Sequence, residues 1–121
     1  MGLILKREEI ISFLKENKLY DGTEKIIWAN IENAQGPMVI LIFNETGIIT
    51  LPITSFGNIE GNIIIAENSE IKHINFKKSL MSYKLTIDSS DDDTPEFRVN
   101  KIMIGYKEHR EELETLVSKY S

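Results

Sequence analysis

Seven short runs of strand-forming residues, separated by turn residues, occupy most of this chain. Each run has five to nine residues rich in Ile, Val, Thr or aromatic side chains, which is the pattern of antiparallel strands. The predicted strands are residues 25–32, 38–44, 47–54, 62–66, 70–76, 80–88 and 96–103. The connections have only two to seven residues. Because crossovers need longer connections, we expect consecutive strands to pair as a meander.

A short amphipathic segment lies at each end of the strand region. Apolar residues recur at helical spacing among charged residues in 6–18 and again in 106–120, which predicts an N-terminal and a C-terminal helix. The order helix, seven strands, helix contains no internal repeat and no long linker. Residues 1–121 are therefore expected to form a single domain.

Hydrophobic patterning predicts which strand faces are buried. Residues 38–43 are apolar throughout, so this strand should be covered on both faces, by the core on one side and by the N-terminal helix or a second subunit on the other. Residues 80–88 alternate between apolar and polar side chains instead. This pattern places Met81 and Leu85 on a buried face and leaves the opposite face exposed to solvent. Trp28 shares a face with Ile26. It is expected to be a barrel-wall residue, the alternative being an exposed interaction anchor.

Charge and composition exclude several classes of protein. Fourteen Lys and Arg against 19 Asp and Glu give a net charge of −5, which disfavours nucleic acid and anionic membranes as partners. The absence of cysteine excludes disulfides, thiolate zinc sites and cysteine nucleophiles, and it fits a reducing compartment. No signal-peptide core or bilayer-length apolar segment is present, so a cytoplasmic location is expected. Abundant Ile and Asn, with more Lys than Arg, indicate an AT-rich bacterial or phage genome, the alternative being a preference for β-branched residues in strands.

Three segments carry a resemblance to a known superfold. They are ILIFNETGIITLPI at residues 40–53, EIKHINFKKSLMSYKLTI at 70–87 and FRVNKIMIGYKEHREELETLVSKY at 97–120. In this order the chain resembles the pleckstrin-homology (PH) superfold, in particular the bacterial PH-like domains, over about residues 25–120. The resemblance implies a mainly β fold, a partly open barrel of seven antiparallel strands capped by a C-terminal helix. The N-terminal helix is additional to that plan.

The resemblance also bears on partners. PH domains that bind phosphoinositides use clustered Lys and Arg around the first two strands and their loop, but residues 32–37 contain no base and only Lys25 is nearby. No membrane or phosphoinositide partner is therefore expected. Several bacterial PH-like domains lack these bases and form homo-oligomers, so self-association is implied by the resemblance.

One basic concentration is a candidate partner-binding site. It consists of Lys72, His73, Lys77, Lys78 and Lys84, with Lys72 and Lys84 expected on one solvent face and Lys77 and Lys78 at the turn. Such a surface could bind an acidic partner. The alternative is that these lysines keep a hairpin soluble and its edge unpaired.

An acidic stretch, residues 88–93, contains the second group of candidate partner-binding residues, Asp91, Asp92 and Asp93. Its oxygen atoms are ligands that calcium prefers, but the stretch lacks the spacing, the glycine and the final Glu of an EF-hand. A hydrated hairpin loop is the expected structure.

The two histidines, His73 and His109, are candidates for catalytic or metal-binding residues. His109 and Glu112 are three apart on a helix and could share a metal, but no second His and carboxylate set completes a site. A solvated helix face with an Arg110–Glu114 pair is expected instead. His73 has no nucleophile or orienting carboxylate nearby in sequence. No catalytic residue, metal or cofactor is predicted.

Two functions from different classes remain. The first is a non-enzymatic PH-like protein-binding or assembly module that associates with itself through strand edges and apolar surface. The second is a small acidic inhibitor or immunity-type protein that masks a basic site on an enzyme or toxin. An exposed apolar oligomer face would favour the first, and an acidic concave face would favour the second.

Overall fold

The computed structural model describes residues 5–31, 38–54, 57–89 and 95–120. These residues form α1 (Arg7–Glu16), β1 (Lys25–Ile31), β2 (Val39–Phe43), β3 (Gly47–Pro52), β4 (Ile64–Glu67), a 3-10 turn (Asn68–Glu70), β5 (Ile71–Lys78), β6 (Ser82–Ser89), β7 (Glu96–Asn100) and α2 (His109–Lys119). The antiparallel sheet has the order β4-β3-β2-β1-β7-β6-β5 and is not closed, so β4 and β5 are its edges. The predicted mainly β fold, with seven antiparallel strands and a helix at each end, is confirmed.

The first strand joins the two halves of the sheet. Residues 25–29 of β1 pair with β2, whereas Asn30 and Ile31 pair with β7. The sheet curls so that the inner faces of both halves and one face of α2 share a core. This inner core consists of Ile27, Ala29, Val39, Leu41, Phe43, Ile48, Ile74, Leu85, Ile87, Phe97, Val99, Leu113 and Leu116.

A second core lies on the outer face of β1–β3, beneath α1. It consists of Ile10, Leu14, Ile26, Trp28, Ile40, Ile42, Ile49, Leu51, Ile53 and Tyr106. All five residues of β2 are buried, alternating between the two cores. The prediction that this strand is covered on both faces is confirmed, and α1 is the element that covers the outer face.

Trp28 is a wall residue of this outer core. Only 2% of its surface is exposed, and its ring meets that of Tyr106 edge to face at a centroid distance of 6.0 Å. The barrel-wall prediction is confirmed and the exposed-anchor alternative is wrong. Burial and the charge of Glu112 raise the pKa of the Tyr106 hydroxyl, so this phenol stays neutral inside the core.

Several element boundaries differ from the prediction: β7 ends at Asn100 and not at residue 103, β4 begins at Ile64 and not at residue 62, and α1 is shorter at both ends. β5 continues through Lys78 and β6 begins at Ser82, because the Ser79 N–H donates to the Ser82 carbonyl and closes a tight turn. Met81 therefore lies in the turn and is 68% exposed, which corrects its predicted place on the buried face. α2 begins at His109, not at residue 106, because Gly105 has φ +90° and Tyr106 turns into the outer core. Neither helix in the described ranges could span a membrane.

Candidate protein-binding surface

The outer face of β5, β6 and β7 carries a row of three cations. The strand register places Lys77 directly opposite Lys84, and Lys84 directly opposite Arg98. Side chains in such positions share a face, and like charges there oppose folding. Glu96 relieves part of the repulsion through an ion pair with Lys84 at 3.5 Å. Within the described ranges no carboxylate forms an ion pair with Lys77 or Arg98.

The predicted basic site is divided between different surfaces. Lys77 and Lys84 meet on the wet face, but Lys78 pairs with Tyr83 and lies on the other side of the strand. Lys72 lies at a bulge, roughly 17 Å along β5 from Lys77 at the usual rise per residue. The prediction that Lys77 and Lys78 form the turn is wrong, because both belong to β5.

The three acidic candidate residues cannot be placed, and one cation of the surface was not predicted. Asp91, Asp92 and Asp93 lie outside the described residues. Arg98 belongs to the cationic row, although sequence reasoning did not select it. The signal was available in the alternation of β7, where Phe97 and Val99 are buried and Arg98 between them is exposed. Placing it beside Lys84 required the strand register.

Four large apolar side chains beside this face are exposed in two adjoining loops. The exposed fractions are 87% for Leu80, 68% for Met81, 59% for Ile102 and 88% for Ile104. We name these four residues the hairpin patch. Lys101 joins the loops, because its backbone N–H donates to the Met81 carbonyl and its Nζ donates to the Leu80 carbonyl, both at 3.1 Å.

The hairpin patch borders a cavity of about 290 Å³ between the β5–β6 hairpin and α2. Its lining residues are Lys78, Met81, Tyr83, Lys101, Ile102, Arg110, Leu113 and Glu114. The Lys101 ammonium also lies over the Tyr83 ring, 5.6 Å from its centroid. The surface therefore combines apolar side chains with a mainly basic border, a composition suited to a partner that is both apolar and acidic.

A second exposed apolar group lies at the other edge of the sheet. Ile64 is 62% exposed and Ile65 is 41% exposed on β4, and the nearby Glu60, Glu67 and Glu70 are also exposed. Ile64 and Ile65 point to opposite faces of this edge strand, and we name these five residues, which flank the strand on both faces, the edge patch. β4 pairs closely with β3 at Gly47, where a Cβ atom would overlap the Ala66 carbonyl oxygen. Only glycine permits this approach.

α2 closes the corner between β1 and β7 with side-chain hydrogen bonds. Along a strand, the backbone N–H groups of successive residues point alternately to the strands on either side. The N–H groups of Ile26 and Trp28 point away from β2. The Ile26 N–H donates to Glu112 Oε1 at 2.7 Å, and the Trp28 N–H donates to His109 Nδ1 at 3.2 Å. His109 Nε2 lies 2.7 Å from the Asn100 carbonyl at the end of β7. The imidazole thus bridges the two strands where they do not pair.

His109 is consequently a structural residue. Both ring nitrogens have hydrogen-bond partners, and Nδ1 must be unprotonated to accept the Trp28 N–H. Burial lowers the pKa of His109, against the raising effect of the Asn100 hydrogen bond. The predicted solvated face is wrong for His109, which is 1% exposed, although the Arg110–Glu114 pair is present at 3.2 Å. In the described part of the chain no group of three or more His, Asp or Glu side chains is placed to hold a metal ion.

Glu112 connects α2 to α1 as well as to β1. Its Oε2 accepts from Arg7 Nε at 2.7 Å, and Arg7 Nη2 donates to the Glu24 carbonyl at 2.9 Å. Glu24 is itself buried, and its carboxylate accepts the N–H groups of Asp21 and Gly22. These buried and half-buried charges hold elements of the fold together, so the candidate functional surface is the exposed one described above.

Comparison of the sequence with protein-family models and with curated proteins finds no match. Similarity to known proteins therefore does not assign the chain to a family. The surfaces that the fold leaves exposed are the basis for proposing a function.

Proposed function

We propose that this chain is a non-enzymatic PH-like protein-binding and assembly module whose partner is a second copy of itself. The observation that carries the proposal is the exposure of large apolar residues in the hairpin patch and the edge patch. Contiguous apolar surface rimmed by polar residues is typical of protein interaction sites. Because the exposed apolar residues form two separate patches, each copy has two surfaces that can bind another copy.

The PH-like part of the proposal is supported by architecture. Consecutive strands pair in sequence order from β1 to β4 and from β5 to β7, and β1 also pairs with β7. The sheet stays open between β4 and β5, and α2 packs at the corner where β1 and β7 separate. A helix that follows the last strand and fills such a corner is the arrangement that the resemblance implies.

The assembly function is favoured over an acidic inhibitor by the charges around exposed apolar surface. An inhibitor that masks a basic site needs its apolar contacts among carboxylates. The hairpin patch, the larger exposed apolar group of the described residues, is instead bordered by Lys78, Lys101 and Arg110 with one carboxylate, Glu114, and only the smaller edge patch lies among glutamates. A cytoplasmic location is part of the proposal, supported by the lack of cysteine in the sequence.

Sedimentation velocity of the full chain, from micromolar to near-millimolar concentration, tests the proposal. We expect the weight-average mass to rise above that of the 13.9 kDa monomer as concentration increases. Light scattering at the same concentrations provides an independent mass. A strict monomer over the whole range would overturn self-association.

A further inference from the structure

We infer that copies of this chain associate head to tail, with the hairpin patch of one copy against the edge patch of the next. The inference rests on the proposed self-association and specifies which surfaces meet. It makes the interface heterologous, so each copy uses two different surfaces. The partner of each patch is thus a second copy, which presents the other patch.

Both patches offer apolar side chains that lack cover. Leu80 and Ile104 are the most exposed large apolar residues of the described chain, and Ile64 is among the next. β4 is also an edge strand, with no neighbour on its outer side in the sheet order. Contact between the patches would remove apolar side chains from water on both copies, which is the main favourable contribution in protein association.

Charge selects the pairing of unlike patches. The border of the hairpin patch contains Lys78, Lys101 and Arg110, of which Arg110 alone forms an ion pair within the described residues, with Glu114. The edge patch contains three exposed glutamates, with Lys72 the nearest lysine along the chain. Two hairpin patches in contact would oppose cations, and two edge patches would oppose carboxylates. Only the unlike pairing brings opposite charges together.

The cationic row takes no part in this pairing, because Lys77, Lys84 and Arg98 lie on the outer face of the sheet and Lys78 lies on the face that α2 covers. The eight residues of β5 span roughly 25 Å and separate β4 from the turn that carries Leu80, so one copy can use both of its patches at once. Association can then continue beyond the dimer.

The test is complementation between two surface variants, followed by sedimentation velocity. Leu80→Asp places a carboxylate in the hairpin patch, and Ile64→Asp places one in the edge patch. Each variant alone should associate at least tenfold more weakly than the wild type. An equimolar mixture should form a one-to-one dimer, because Ile64→Asp retains a hairpin patch and Leu80→Asp retains an edge patch. That dimer should not grow, since its remaining surfaces are the altered ones.

The outcomes separate this inference from the proposed function. If the wild type associates and the mixture stays monomeric, or if Ile64→Asp associates as the wild type does, head-to-tail pairing is wrong while self-association stands. If the wild type is monomeric at every concentration, the proposed function itself fails. Raising the salt concentration should weaken wild-type association several-fold, and an unchanged association constant would contradict the charge argument.

Controls distinguish surface effects from unfolding. Tyr20→Asp changes an exposed aromatic residue outside both patches and should leave association unchanged. Circular dichroism melting should show that each variant is folded. Because Ile64 lines a small cavity, Glu60→Lys offers a second variant of the edge patch at an exposed position. It should also weaken association and should also be rescued by Leu80→Asp.

Discussion

The two halves of the sheet are built from similar strand sequences but are covered differently. In the first half, all five residues of β2 are buried, because the inner core lies on one face and α1 on the other. In the second half, only one of the eight residues of β5 is buried, and its outer face is solvated. The first half, β1–β4, therefore commits both faces of its inner strands to stability and leaves only its edge strand β4 exposed. The second half, β5–β7, has one face free for binding.

The largest expected difference in stability is between a Leu→Ala variant in α1 and a Leu→Ala variant in the hairpin patch. Leu14→Ala in α1 removes a fully buried side chain from the outer core and should lower the free energy of unfolding by about 3 kcal/mol. Leu80→Ala in the hairpin patch is the matched control and should change it by less than about 0.5 kcal/mol. Urea denaturation of dilute protein measures both. Equal losses would show that the two halves are not covered differently.

Two glutamates on α2 provide the next comparison. Glu112→Ala leaves the Ile26 N–H without its acceptor and Arg7 with only the Glu24 carbonyl, and should lower the free energy of unfolding by about 2 kcal/mol. Glu114→Ala breaks only the exposed pair with Arg110 and should cost less than about 0.5 kcal/mol. Thermal and urea unfolding of the two variants give the result. If both variants lose a similarly small free energy of unfolding, Glu112 does not fix α2 at the corner between β1 and β7.

The pH dependence of stability tests the neutral imidazole bridge. Burial lowers the pKa of His109 in the folded state, so the unfolded chain binds the proton more readily. Stability should therefore fall as the pH drops below about 6.5, by at most about 1.4 kcal/mol per pH unit for this one group. His109→Gln should reduce that slope between pH 7 and 5. The matched variant His73→Gln, at an exposed position, should retain it, and a slope unaffected by His109→Gln would contradict the bridge.

The smallest expected effect is a gain in stability, and it comes from a change in the cationic row. Lys77→Glu replaces a repulsion with Lys84 by an attraction and should raise the free energy of unfolding by about 0.5 kcal/mol. Lys72→Glu is the control, because Lys72 has no cross-strand partner in the register. Denaturation at low salt gives the best sensitivity. A destabilised Lys77→Glu variant would mean that the row supports the fold.

The strand pattern could be predicted from the sequence because it depends on local alternation. The continuous apolar run of β2 indicated cover on both faces, and the order of elements indicated a C-terminal helix at the end of the sheet. The limits of β5 and β6 could not be predicted, because the turn at residues 79–81 is fixed by the pairing of Lys78 with Tyr83. Met81 was therefore assigned to the wrong environment.

The candidate surface could be predicted from the sequence only in part. Lys77 and Lys84 were selected as basic residues, but their meeting with Arg98 depends on pairing between strands that are distant in sequence. The hairpin patch joins residues 80–81 to residues 102–104 through Lys101. His109 was expected on a solvated face, because helical spacing alone does not reveal two strand ends that lack hydrogen-bond partners.

Hydrogen exchange at low and high protein concentration tests most directly whether the hairpin patch and the edge patch are used for assembly. We predict that amide protection rises with concentration around residues 79–82 and 101–105, and around β4 at residues 60–70. Protection of α1 and β2 should stay constant, because both are already covered within one copy. Concentration-dependent protection confined to α1, or none in either patch, would contradict the account.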